Sequence, residues 1–277
     1  MRPEAPEPLP HPVVDNHCHL DVARDGETPL PVGEALASAS AVGVPRIVQV
    51  GCDLAGSRWA AETAAAHDAI VAGVALHPND APPLADRGEL TDALAEIEAI
   101  AAAQPRVRAI GETGLDYFRT DESGRSAQHE SFRAHIDIAK RLDRTLVIHD
   151  RDAHADVLAT LDAVGAPDRW VMHCFSGDAD LARRCLDRGA YLSFAGTVTF
   201  KNAEPLRDAL RIAPADRILV ETDAPFLTPT PHRGRTNASY LIPLTMRAMA
   251  ATRGADLGEL CAAVEANTFA AFGGPWG

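Results

Sequence analysis

Five apolar runs of this chain end on, or lead straight into, a side chain that can ligate a metal. They are 13–19, carrying His17 and His19; 107–112, ending in Glu112; 146–149, ending in His149; 170–173, ending in His173; and 218–223, ending in Asp223. One polar residue after a strand-length run is ordinary, because loops begin that way. Five drawn from across the chain suggest strand ends that converge on one metal site. His17 and His19 are two apart, so on a strand both imidazoles project to one side and Cys18 to the other. That makes them a ready ligand pair. Glu112 offers two carboxylate oxygens and can bridge two cations, which an imidazole cannot. His149 and His173 would sit on neighbouring strands and hold a second cation. Asp223 can be a ligand, a general base, or both. The plainer readings are a surface His-x-His, a loop glutamate in an ion pair, satisfied core histidines and a turn aspartate before Ala224-Pro225. Three or four protein ligands per cation, with Glu112 shared, leave positions open for water and substrate, as in a catalytic site. Two cations about 3.5–4 Å apart would activate a hydroxide and clamp a phosphoryl oxygen.

The elements that must position these groups alternate regularly. Strand-like runs fall at 13–17, 46–50, 70–76, 107–112, 145–149, 169–173, 190–194 and 217–222. Helical segments are expected at about 33–42, 57–67, 89–103, 126–142, 153–164, 178–188, 203–212, 238–252 and 256–272. Segment 126–142 carries Phe132, Ile136 and Ala139 at helical spacing. Ser126 and Asp178 suit N-caps, while Gly43, Gly165 and Gly189 suit helix stops. Eight β-then-α units predict a (β/α)8 TIM barrel, an α/β fold with its active site at the C-terminal strand ends. A doubly wound open sheet is the alternative, but no GxGxxG follows the first run. Residues 1–12, rich in proline and acid, are expected to be a flexible leader, and 13–277 a single hydrolase domain.

Composition narrows the function classes. A chain of 277 residues buries a large core. No apolar run approaches the roughly 18 residues of a membrane span, and the N-terminus lacks the basic-then-apolar pattern of a signal peptide. Five cysteines without a CxxC argue against a disulfide framework or a zinc finger and fit a reducing cytoplasm. The net charge of −13 argues against sequence-independent coating of duplex nucleic acid while leaving room for a local basic cleft. No membrane and no obligate protein partner is indicated.

Weaker features surround the ligand set. His77 ends the third run, and Arg151 follows His149; both can line the pocket. His232, Arg233 and Arg235, around Gly234 and after the eighth run, read as a phosphate grip, because arginine offers a planar donor fork. A solvated basic turn is the competing reading. Tyr117, Phe118 and Phe175 can stack on bases, although aromatics after barrel strands commonly pack as lids. Cys18 and Cys174 flank ligands without a base to activate them and read as buried fillers.

Five stretches resemble the signatures of TatD-like metal-dependent deoxyribonucleases, within the amidohydrolase superfamily. They are Asn16-His17-Cys18-His19-Leu20-Asp21, Gly111-Glu112-Thr113-Gly114-Leu115-Asp116-Tyr117, Ile148-His149-Asp150-Arg151-Asp152-Ala153, His173-Cys174-Phe175-Ser176-Gly177 and Glu221-Thr222-Asp223-Ala224-Pro225-Phe226-Leu227. His232-Arg233-Gly234 and Ser193-Phe194-Ala195-Gly196 also look like family elements. The resemblance runs in order from about 13 to 270 and implies a TIM barrel, ligands at His17, His19, Glu112, His149, His173 and Asp223, and divalent-cation-dependent hydrolysis of DNA. Asp150 stands where Thr or Ser is common and Arg235 where Lys is common, and either can alter substrate preference.

The leading functional reading is a two-metal phosphodiesterase with Mg2+ or Mn2+, or alternatively Zn2+. Its substrate would be DNA, single-stranded or at 3′ ends. Asp223 and Glu112 are the catalytic carboxylates, and the 3′-to-5′ sense comes from the resemblance. A second reading is an esterase or deacylase of the same superfamily, for example on D-aminoacyl-tRNA. Related lactone- or triester-cleaving barrels often bridge their metals with a carboxylated lysine on strand four. The two lysines here, Lys140 and Lys201, lie elsewhere. A non-catalytic adaptor fits least, given six ligands with open coordination.

Overall fold

A computed structural model describes residues 2–24 and 26–276. Eight segments, most of them rich in Val and Ile, form one parallel sheet whose strands pair in sequence order. They are β1 (Val14–Cys18), β2 (Arg46–Gly51), β3 (Ile70–Val74), β4 (Val107–Asp116), β5 (Thr145–Arg151), β6 (Trp170–Met172), β7 (Tyr191–Phe194) and β8 (Ile218–Val220). The sheet closes just past the end of β8, where Cys18 bridges Ala224 in parallel. Asp223 N donates to His17 O at 2.9 Å, and His19 N to Ala224 O at 2.8 Å. The result is the TIM barrel that eight repeated units require.

The helices are α1 (Val32–Ser40), α2 (Leu54–Ala66), α3 (Ala81–Asp86), α4 (Leu90–Ala103), α5 (Arg125–Arg141), α6 (His154–Val164), α7 (Ala179–Leu186), α8 (Glu204–Ile212), α9 (Ile242–Arg253) and α10 (Leu257–Phe272). They pack apolar faces against the strands or against neighbouring helices, as α5 does with Phe132, Ile136 and Ala139. Asp178 caps α7 by accepting from Asp180 N and Leu181 N. Ser126 does not cap α5, which begins at Arg125 after Gly124. Helix α3 is not among the expected helices; its Pro82 and Pro83 occupy the first turn, where proline costs no hydrogen bond.

Helix α10 and the tail after it close the N-terminal end of the barrel. Phe272 and Trp276 pack among Val14, Val48, Val71, Val147 and Val171. Polar ties fix this plug to the first residues of several strands. Arg46 Nε donates to Trp276 O, Thr145 Oγ1 to Ala271 O, and Asn267 Nδ2 to Ile218 O at 2.9 Å. The segment expected to be a flexible leader lies along the barrel. Leu9 is buried, Leu9 N donates to Val42 O, and Tyr240 Oη donates to Pro3 O at 2.6 Å. Among the described residues no helix is long and apolar enough to cross a membrane.

Candidate metal centre

The opposite end of the same barrel gathers the polar groups. Strands β4 and β5 run beyond the expected lengths, so Glu112 lies within β4 and not at its end. It sits at a shift in register between Ile110 and Thr113 against β5, an irregularity of the kind that re-aims a side chain. Gly114 faces His149 so closely that a Cβ there would lie 2.0 Å from His149 O. Its φ of +145° is likewise open to glycine. This close approach draws Glu112 and His149 together. Asp223 adopts φ +54° directly after β8, and Cys174 φ +43° directly after β6. Strained backbone of this sort clusters where side chains must be aimed.

The two oxygens of Glu112 face different imidazole sets. Oε1 lies 2.6 Å from His149 Nδ1, 3.3 Å from His173 Nε2 and 3.6 Å from His77 Nε2. Oε2 lies 3.5 Å from His17 Nε2 and 3.9 Å from His19 Nε2. Asp223 Oδ1 is 3.3 Å from His19 Nε2 on that second side. The His17 and His173 rings stack at 3.6 Å between centroids. Three overlapping donor groups result, each with its ligand atoms within 4.8 Å of one another: His17, His19 and Glu112; His77, Glu112 and His149; His17, His173 and Glu221.

Outer partners fix the rings. His19 Nδ1 is 2.9 Å from Val50 O, which as a donor to that carbonyl leaves Nε2 free to ligate. His173 Nδ1 lies 2.9 Å from Glu221 Oε1, an oxygen that also receives Cys174 N at 3.0 Å. Asp116 Oδ2 stands 3.2 Å from His149 Nε2. Buried Asp15 ties β1 to β8 by accepting from Thr222 N and Thr222 Oγ1, at 2.9 and 2.6 Å. Burial still pushes its carboxyl up to about 6.

The electrostatics suit cations. Burial disfavours charge on Glu112, yet His173, His77 and the ring contacts from His149 and His17 together hold it well below the usual carboxylate range. Burial works against charge on His149 too, but Asp116 and Glu112 raise it to about 9. His17 is lowered to about 3 by burial and by His173. Both of its ring nitrogens are buried without a hydrogen-bond partner, a costly arrangement that ligation resolves. Neutral imidazole nitrogens and carboxylates together form a donor set that fits a divalent metal. Loading it would release the protons that otherwise balance the carboxylates.

Around the cluster opens a cavity of about 440 Å3, bordered by His19, His77, Glu112, Asp116, Arg151 and Asp223 among others. Of the remaining sequence expectations, His77 and Arg151 border it. Tyr117 does not: its hydroxyl lies 2.8 Å from His129 Nε2 and donates to Asp156 at 2.6 Å. His232, Arg233 and Arg235 are also away from the cavity wall; the Arg233 guanidinium stacks 4.0 Å over Phe200, and Arg235 is exposed. A loop after a strand end can leave the rim, and spacing alone does not give its direction. Asp150, the departure from the family pattern, contacts His154 Nδ1 at 2.6 Å and receives Ala153 N.

Sequence reasoning passed over Asp116, Glu221, Asn79, Arg119 and Cys52. Glu221 precedes Asp223 by two and Asp116 follows Glu112 by four, so strand periodicity was the available signal. Cys52 Sγ lies 3.7 Å from Glu112 Oε2, and burial pushes its thiol up to about 11.

The pattern of the TatD-related DNases matches residues 14–273. An uncharacterized metal-dependent hydrolase TatD of Mycobacterium tuberculosis is 44% identical over 270 residues, spanning 95% of this chain and 99% of that protein. A 3′-5′ ssDNA/RNA exonuclease TatD of Citrobacter rodentium is 35% identical over 248 residues, or 87% and 91% of the two chains. The crystal structure of the TatD homologue YJJV from Escherichia coli superposes with a TM-score of 0.85 at 24% identity, covering 95% and 98%.

Proposed function

The chain belongs to the TatD-related DNase family, and from that premise we propose that it is a divalent-metal phosphodiesterase acting on unpaired nucleic acid from the 3′ end. The observation that carries the reading is the division of Glu112: Oε2 toward His17 and His19, Oε1 toward His149 and His173. In this reading His17, His19 and Asp223 hold one cation, His149 and His173 the other, and Glu112 bridges. His77 stands beside the second set. Mg2+ or Mn2+ is the expected metal, with Zn2+ as the alternative. When bound, the cations supply Lewis acidity toward water and toward the phosphoryl oxygens.

The protein's own groups do the rest. Asp223 borders the cavity, is aimed by its left-handed backbone and by its N–H bond to His17 O, and accepts the proton of the attacking water. Glu221 and Val50 O keep His173 and His19 in ligating orientation. Arg151 and Arg119 border the cavity as well, and there they neutralise flanking phosphates. That local basic pair answers the net charge of −13. All five cysteines are free thiols, which supports a reducing, cytoplasmic setting. The name of the Citrobacter rodentium relative supports the 3′-to-5′ sense and admits RNA beside DNA.

The test sets single-stranded DNA, duplex DNA, RNA and an aminoacyl ester against wild type and Asp223→Asn with Mg2+ or Mn2+. Single-stranded nucleic acid is expected to be cleaved, and the substitution to lower kcat by roughly 10²–10⁴-fold. Cleavage untouched by Asp223→Asn would sink the mechanism. Ester hydrolysis without nucleic-acid cleavage would move the protein to the deacylases.

A further inference from the structure

Three large apolar side chains are exposed among the described residues, Phe118, Ile212 and Phe226; Phe226 lines the metal cavity and Phe118 stacks on Arg151, which also lines it. Phe118 follows β4 and Phe226 follows β8. Strands four apart in an eight-strand barrel are diametrically opposed, so the two residues follow strands on opposite sides of the barrel.

The Phe118 side is a built ledge. The Arg151 guanidinium lies 3.8 Å from the centre of the Phe118 ring and covers one face, while the residue as a whole remains 63% exposed. Asp116 fixes the backbone beneath: Oδ1 accepts from Phe118 N and Arg119 N at 3.1 and 2.9 Å. Its other oxygen receives Asn79 Nδ2 at 3.1 Å and stands against His149. One buried carboxylate thus joins the backbone beneath the aromatic ledge to the metal-side cluster.

An exposed ring beside two arginines matches a ligand with a flat apolar face joined to a phosphate. An unpaired nucleobase has that chemistry, and one inside a duplex has both faces already stacked. Resting on the phosphodiesterase reading above, we infer that Phe118, backed by Arg151 and with Phe226 on the opposite side of the barrel, is a base-stacking subsite that selects unpaired nucleotides next to the scissile phosphate. Phe118 is a specificity residue here, with Asp116 its positioning residue.

The test compares two single-stranded oligonucleotides on the full, Mn2+-loaded chain, identical except that one ends in an abasic 3′ nucleotide. Wild type is expected to favour the base-bearing strand in kcat/KM by about tenfold or more. Phe118→Ala and Phe118→Leu should bring the ratio near one, chiefly through KM, and Phe118→Trp should keep it. Phe226→Ala should lower it in part. A 3′-terminal 2-aminopurine should be quenched on binding wild type and not on binding Phe118→Leu, a change that mere loosening of the loop would not produce. Cleavage with an unchanged ratio in both Phe118→Ala and Phe118→Leu overturns the subsite alone. No cleavage of either strand by wild type overturns the phosphodiesterase reading and the subsite with it.

Discussion

At the N-terminal end of the barrel, Val14, Val48, Val71, Val147 and Val171 close around Phe272 and Trp276. At the C-terminal end, strands β1, β4 and β5 and the turns after β6 and β8 present His17, Glu112, His149, His173 and Asp223. The floor is mostly apolar, and its strand-start residues bond to the carbonyls of α10 and the tail behind it, although the Trp276 indole N–H has no hydrogen-bond partner there. The rim leaves both nitrogens of His17 unpartnered and holds Asp223 and Cys174 at positive φ. One end is arranged for stability, and the other carries costs that a metal would relieve. The two ends should therefore respond differently to substitution.

The largest stability effect is expected at the floor. Phe272→Ala should cost about 3–5 kcal/mol in chemical denaturation, while the folded fraction keeps its metal content. A loss of metal in step with stability would break the separation. The reverse holds at the rim: Mn2+ at about a hundred times its Kd should stabilise wild type by roughly 2.7 kcal/mol for each ion bound. Thermal melts should retain that shift in Phe272→Ala.

His135 sharpens the comparison from the barrel wall. Its Nε2 accepts from Leu76 N at 3.2 Å and its Nδ1 lies 2.8 Å from Ser131 O, an arrangement for the neutral ring. Burial accordingly lowers it from 6.5 to about 4. With the folded pKa depressed, the unfolded chain binds the extra proton between those values. Stability is full above about pH 6.5 and declines as pH falls toward 4, by on the order of 3 kcal/mol. Denaturation of His135→Asn across that range should lack this component of the slope; an unchanged slope would assign the acid sensitivity to the rim. The smallest effect is expected from Asp116→Asn, which should weaken metal binding by about tenfold in calorimetry and leave the metal-free melting temperature within a few degrees.

Much of this contrast was legible in the sequence. The eight strands declared themselves as short apolar runs alternating with helical segments, and six ligand candidates followed from side-chain type and strand-end position. What spacing did not reveal was direction off the strand. Tyr117 and Phe118 are neighbours, yet the Tyr117 hydroxyl turns to Asp156 while Phe118 stacks on Arg151, which lines the cavity. The turn at 231–237 is tied by Asn237 to the loop after β8, yet Arg233 stacks on Phe200 and neither arginine lines the cavity. Glu221 was missed for another reason: its spacing from Asp223 was visible, but its partner His173 stands on a separate segment, and that contact is not written in spacing.

The central claim is that Glu112 divides its two oxygens between two cations, and metal stoichiometry tests it most directly. Wild type and Glu112→Gln would be loaded with Mn2+, freed of excess, and assayed for metal per chain by mass spectrometry, with anomalous scattering to locate the ions. The expected result is two ions in wild type, one on each side of Glu112, and one or none in Glu112→Gln. A single ion in wild type, or two retained after the substitution, would contradict the bridge.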